Sequence, residues 1–146
     1  MLLTMNTYAL NLQGGHSMSI RIDMSRLEDF EKSLGEFKDT LGNVMEEAIK
    51  EIALRELRSV KKLTPVDTGT LRRSWYVGDI KRKGLEVEVT IYNNTNYGNY
   101  VEFGHRTRDH KSWVPGKFML TISEKQIEKE IEKIVDRHLE EAFKGL

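Results

Sequence analysis

The 146-residue chain contains no cysteine, which excludes disulfides and thiolate metal sites and fits assembly in a reducing cytoplasm. Long apolar runs are missing as well. No stretch reaches the roughly 18 apolar residues that a membrane-spanning helix requires, so no membrane partner is expected. Net charge is also absent: 23 basic and 23 acidic side chains cancel although charged residues make up 32% of the sequence. No global field therefore draws the protein toward nucleic acid or a membrane, and any charge-driven partner must be met locally. Proline occurs only twice, so the two positions carry punctuation. The length suits one domain, which buries roughly 68–70% of the surface its unfolded chain exposes.

Residues 1–17 differ from the rest. They lack a basic n-region and a sustained apolar run, and Gly14-Gly15-His16-Ser17 reads as a joint. Met18-Ser-Ile-Arg-Ile resembles a natural start followed by a short strand with Ile20 and Ile22 on one face. We expect residues 1–17 to be a flexible leader and residues 18–146 to form a single domain.

Ser25, with Glu28 three residues on, forms a capping box and predicts a helix over 26–34 with Leu27, Phe30 and Leu34 inward. From Phe37 the apolar positions Leu41, Val44, Met45, Ala48, Ile49, Ile52, Leu57 and Val60 keep helical spacing until Pro65. The period then becomes two. Leu85, Val87, Val89 and Ile91 alternate with Glu86, Glu88, Thr90 and Tyr92, predicting a strand with one wet face. Leu71 to Ile80 supplies its antiparallel partner, with Trp75 and Val77 inward and Lys81-Arg-Lys-Gly84 as the turn. Tyr97 to Phe103 reads as a turn of helix and then a strand. There Phe103 faces the core, and Glu102 points the other way, toward solvent or a partner.

Gly104 to Gly116 shows no periodicity, and a loop of that length in a small domain is usually functional or disordered. A final helix from about Phe118 to Phe143 buries Ile127, Ile131, Val135, Leu139 and Phe143, with Ile134 and Ala142 beside them. It carries an acidic row, Glu124, Glu128, Glu132, Asp136 and Glu140. A basic row runs alongside, Lys125, Lys129, Lys133 and Arg137, with attractive pairs at three apart. The plain reading is a solvated face; the sharper one is a subunit contact that sets register. The resulting fold class is α+β: an antiparallel sheet of three or four strands on a long helix, plus a C-terminal helix.

No constellation of residues spells out chemistry. His105, Asp109 and His110 are metal-ligand types within six residues, but their spacing in an irregular loop fixes no geometry, so no metal site is expected. Ser74 and Ser112 lack a nucleophile elbow, and no catalytic residue is assigned. Between helix and hairpin, Pro65 stops the helix, Asp67 and Thr68 suit an Asx turn closed by Asp67, and Gly69 tolerates φ > 0. The loop residues His105, Arg106, Arg108, Asp109, His110, Lys111 and Trp113 are expected to form an interface or lumen surface. A rival reading makes Arg72, Arg73, Lys81, Arg82 and Lys83, with loop 105–111 and its aromatic neighbours, a surface for single-stranded nucleic acid.

Several stretches in order carry a family resemblance: Met18-Ser-Ile-Arg-Ile, the long helix, and the corner Thr64-Pro-Val-Asp-Thr-Gly-Thr-Leu-Arg-Arg-Ser74. They continue with Asn96-Tyr-Gly-Asn-Tyr-Val-Glu-Phe-Gly104, Val114-Pro-Gly-Lys-Phe-Met-Leu120 and a charged last helix. Over about residues 18–144 the chain resembles the small tail-component family typified by the gene-ten product of a lambdoid siphophage. The resemblance implies a structural virion protein of a phage or prophage, without catalytic activity or cofactor. It would act in tail completion and head-tail joining as a ring, often six-fold, in the virion tail or neck after assembly in the host cytoplasm. Partners would be its own copies, other tail or connector proteins, and DNA passing through the lumen. The leader before Met18 and residues 105–113 depart from the pattern, so no family role carries over to His105 or Arg106.

Overall fold

The computed structural model describes residues 17–22 and 35–144. The expected leader, apart from Ser17, and the helix over 26–34 lie outside the described residues. Strand β1, Ser17–Ile22, pairs antiparallel with a later strand, placing Ile20 opposite Val89.

Helix α1, Gly35–Leu63, is 29 residues long, about 43 Å at 1.5 Å per residue. Its apolar stripe is the one its spacing predicts: Leu41, Met45, Ala48, Ile49, Ile52 and Val60 are buried, with Phe37, Val44 and Leu57 packed against them. A four-residue helical turn, α2 (Thr70–Arg73), precedes β2 (Trp75–Val77), β3 (Lys81–Lys83) and β4 (Glu86–Asn93). β4 is central, with β1 on one side and β2 and β3 on the other. Burial alternates residue by residue along β4, so Val87, Val89 and Ile91 meet the core.

The hairpin departs from the expected form in two places. Leu71 lies in α2, and the extended partner is split into β2 and β3. Val77 pairs with Ile91 and Lys81 with Glu88, so four steps on one side oppose three on the other, and one extra residue bulges out. The Gly78 N–H keeps the strands together by donating to the Thr90 carbonyl at 2.7 Å. Lys81 to Lys83 are therefore strand, and the turn is only Gly84-Leu85, with φ +64° at Gly84.

A second helical stretch, α3 (Gly98–Phe103), leads into β5 (Gly104–Arg106), β6 (Trp113–Pro115) and the final helix α4 (Met119–Phe143). α1 packs against β2 and β4 and, along its length, against α4. Ile127, Ile131, Ile134 and Val135 fill that second contact, Leu139 and Phe143 are partly buried, and Ala142 is exposed. The helices run antiparallel: Phe37 stacks on Phe143 at 4.9 Å, Arg55 meets Glu130 at 2.7 Å, and Ser59 meets Gln126 at 2.9 Å. Glu51 accepts from Arg137 and lies 2.9 Å from His138. The C-terminal helix thus packs alongside α1 and completes an α+β domain.

Candidate functional site

The corner after α1 is closed by its two ends. Thr64 ends the helix with its N–H and hydroxyl both donating to the Val60 carbonyl, at 3.0 and 2.6 Å. Its hydroxyl accepts in turn from the buried Trp75 indole N–H at 2.9 Å. Trp75, the expected core residue, thereby fixes the start of β2 against the end of α1. Gly69 has φ +79°, the left-handed conformation the corner needs. Pro65, Asp67 and Thr68 are exposed. The side chain that bridges the turn is Thr68, whose hydroxyl lies 3.0 Å from that of Thr70; Asp67 makes no such bond among the described residues. Asn93, buried at the end of β4, donates to the Leu71 carbonyl at 2.9 Å and accepts from Thr95. The corner is therefore tied to the end of β4, just ahead of the second motif, Asn96 to Gly104.

The second motif works differently from its expected form. Residues 98–103 are helical, so inward and outward positions follow a period of 3.6 rather than two. Glu102 consequently turns inward and is fully buried, whereas Tyr100 and Phe103 turn out at 59% and 44% exposure. Both expectations, Glu102 outward and Phe103 in the core, are corrected by that one change of period. The Glu102 carboxylate accepts from the Leu120 and Thr121 N–H groups at 3.0 Å each, and from the Thr121 hydroxyl at 2.8 Å. It supplies what α4 lacks, since that helix has no acidic residue in its first turn and Phe118 makes no side-chain cap.

Main-chain bonds beside the cap brace the base of the hairpin formed by β5 and β6. Lys117 N–H donates to the Val101 carbonyl at 2.8 Å and Phe118 N–H to the Glu102 carbonyl at 3.0 Å, so the chain returns to where it left. Two glycines permit the close approach. A Cβ on Gly104, whose φ is +84°, would stand 2.4 Å from the Val114 oxygen, and one on Gly116 would stand 2.2 Å from the Glu102 oxygen. Residues 104–116, an aperiodic loop by sequence, form a short antiparallel hairpin with Gly104 opposite Pro115, His105 opposite Val114 and Arg106 opposite Trp113. Its strands are three residues each, and β6 is exposed throughout, so no alternation marks it in the sequence. The tip is ordered by Thr107, whose N–H donates to the Ser112 carbonyl at 2.9 Å and whose hydroxyl donates to Asp109.

The hairpin presents the expected set of residues. Arg106, Arg108, His110 and Lys111 are exposed, and Trp113 is 58% exposed. His105 is half-buried, edge-on to the Tyr100 ring at 5.9 Å, and its Nδ1 is buried without a partner. The Thr107 hydroxyl and the Lys111 N–H hold the Asp109 carboxyl below the usual range. His105, Asp109 and His110 do not converge, and no three metal-ligand side chains do so among the described residues. The Ser74 hydroxyl donates to the Thr70 carbonyl at 2.8 Å.

The alternative basic set is divided. Arg82 turns back onto α1, meeting Asn43 at 3.1 Å, Glu46 at 3.3 Å and Asp39 at 3.7 Å. Arg72 and Arg73 donate to the Thr64 and Thr68 carbonyls at the other end of that helix. Thr64 lies eighteen positions after Glu46, just past the end of α1, about 27 Å along the helix axis. The β3 cations Lys81 and Lys83 are thus not gathered with the corner.

Two buried carboxylates are not evident from sequence: Glu102, and Glu56 on α1. Glu56 is fully buried with neither oxygen hydrogen-bonded, and burial pushes its carboxyl up to about 7. A signal for it is present, since position 56 falls four after Ile52 and four before Val60 in the apolar stripe.

An α+β scaffold that carries a braced, aromatic and basic hairpin at one end defines the architecture. The model of the family described as "Bacteriophage HK97-gp10, putative tail-component" matches residues 28–104, and the chain belongs to that family. It is a structural component of a bacteriophage tail, whose partners are other phage structural proteins. The match ends at Gly104, the first residue of the hairpin, so the rest of β5, β6 and α4 lie beyond it. Neither a curated protein nor a solved structure matches the chain. Among the described residues no helix is long and apolar enough to cross a membrane.

Proposed function

We propose that the chain completes or terminates the tail and helps join it to the head, acting as a ring of identical subunits without catalysis. The observation that carries this reading is the hairpin of residues 104–116. It is fixed at its base by Glu102, Gly104 and Gly116, yet exposes Trp113, Arg106, Arg108 and Lys111. A rigid base is what a surface presented to a neighbour needs, because little ordering entropy remains to be lost on contact. The neutral, two-signed surface suits heterologous contacts that close into rings.

The test is made in a phage that depends on this protein. Trp113→Ser combined with Arg106→Ser changes only exposed side chains, so the purified variant should keep the wild-type melting curve. Electron micrographs of lysates should then show filled heads and separate tails. Joined, infectious particles at wild-type yield would contradict the proposal.

A further inference from the structure

Two oppositely charged surfaces of the chain are left without internal partners. On the hairpin, the cations of Arg106, Arg108 and Lys111 are exposed and meet no carboxylate among the described residues. Trp113 stands opposite Arg106 in the strand pairing and shares its face. On α4, Glu128, Glu132, Asp136 and Glu140 recur every fourth residue, all exposed and none ion-paired among the described residues. The pairs at three apart with Lys125, Lys129 and Lys133 do not form. Different α4 side chains meet α1: Glu130 with Arg55, and Arg137 with Glu51.

The two surfaces do not meet within one chain among the described residues. The hairpin precedes Met119, the first residue of α4, and its three-residue strands span about 10 Å. The acidic ridge begins at Glu128, nine residues along α4, and ends at Glu140, about 31 Å from the start of the helix. Carboxylates four apart on a helix repel one another, and cations brought against them relieve that repulsion. An exposed aromatic rimmed by cations gains from the same contact, since its ring is withdrawn from water.

We infer that the hairpin of one copy docks on the acidic ridge of α4 in the next. Arg106, Arg108 and Lys111 then lie over Glu128, Glu132 and Asp136, and Trp113 packs on the aliphatic stems between them. The two patches differ, so the contact is head-to-tail and propagates around a ring. The inference rests on the proposed self-association and specifies which surfaces carry it. Both surfaces lie beyond the region that the family model matches.

Two reversed full-length chains test this by sedimentation at low salt, each first shown by its thermal melt to fold as wild type. Arg106→Glu with Arg108→Glu makes the hairpin acidic; Glu128→Lys with Glu132→Lys makes the ridge basic. Each alone should associate at least about tenfold more weakly than wild type, because like charges now face one another. An equimolar mixture should recover association, since acidic hairpins meet basic ridges and unaltered hairpins meet unaltered ridges. Wild-type association by either variant alone, or failure of the mixture to recover, would overturn this contact and leave self-association standing. A hairpin reversal that abolishes retention on DNA but not self-association would assign the hairpin to nucleic acid and overturn it too. A wild-type chain that is monomeric throughout would overturn both the ring and the contact.

Discussion

The carboxylate of Glu102 receives both the backbone N–H and the hydroxyl of Thr121, a residue nineteen positions later, at 3.0 and 2.8 Å. One buried side chain thus caps the last helix and ties it to α3, while the main-chain carbonyl of the same residue helps close the base of the hairpin.

Glu102→Ala should therefore uncap α4 and loosen its tie to α3. Losing charge-assisted bonds to two amides and a hydroxyl costs roughly 2 to 3 kcal/mol. Urea unfolding reads that cost, and amide exchange at residues 118–121 should accelerate with it. A variant with an unchanged midpoint and unchanged exchange would show that the cap contributes nothing.

The Thr64–Trp75 bond makes a second, independent prediction. Thr64→Val removes the acceptor and leaves a buried indole N–H unpaired, at about 1 to 3 kcal/mol. Thr64→Ser keeps the hydroxyl and should recover most of the loss. Equal stability of the two variants would deny the bond its role.

The two tryptophans differ in exposure, at 1% for Trp75 and 58% for Trp113. Acrylamide should quench Trp113 strongly and Trp75 weakly, and Trp113→Phe should leave a blue-shifted, protected emission. A single class of accessible tryptophan would contradict the placement of one of them.

Stability should also depend on pH with a maximum in the mildly acidic range. Glu56, pushed up to about 7 by burial, keeps its proton in the folded chain after the unfolded chain has released it near 4.5. The folded state then binds more protons, so stability falls as pH rises from 4.5 to about 7, by on the order of 3 kcal/mol in all. Glu51, drawn down to about 2 chiefly by Arg137 and then by His138, acts in the opposite sense. Its contribution is present above 4.5 and is lost as pH falls toward 2. Glu56→Gln should flatten the upper limb of the curve and leave the lower one. A wild-type midpoint that does not move between about pH 5 and about pH 8 would contradict the burial of Glu56 as a free carboxyl.

The elements legible in the sequence are those where periodicity is strong. α1, β4 and α4 each bury one long stripe, so their apolar spacing survives in the chain and names Met45, Ile49, Val89 and Ile131 correctly. The failures fall on segments too short to repeat. α3 has six residues, so period two and period 3.6 assign Glu102 and Phe103 to opposite faces without a further residue to arbitrate. β5 and β6 are three residues each with little buried, and only their glycines hint at a close approach. The bulge after Gly78 depends on a strand pairing that local sequence does not encode. For the hairpin, its charged and aromatic residues were visible in the sequence and their support was not, because Glu102 acts on a helix eighteen residues downstream.

The central claim is that this chain is built to meet copies of itself through the hairpin. Sedimentation equilibrium of the full-length protein across a salt series measures this directly. At low ionic strength the account predicts a discrete oligomer above the 17.0 kDa monomer, which weakens as salt screens the charged contact and is lost when Arg106 and Arg108 are both replaced by Glu. A mass that stays at 17.0 kDa at every salt concentration and at high protein concentration would contradict it.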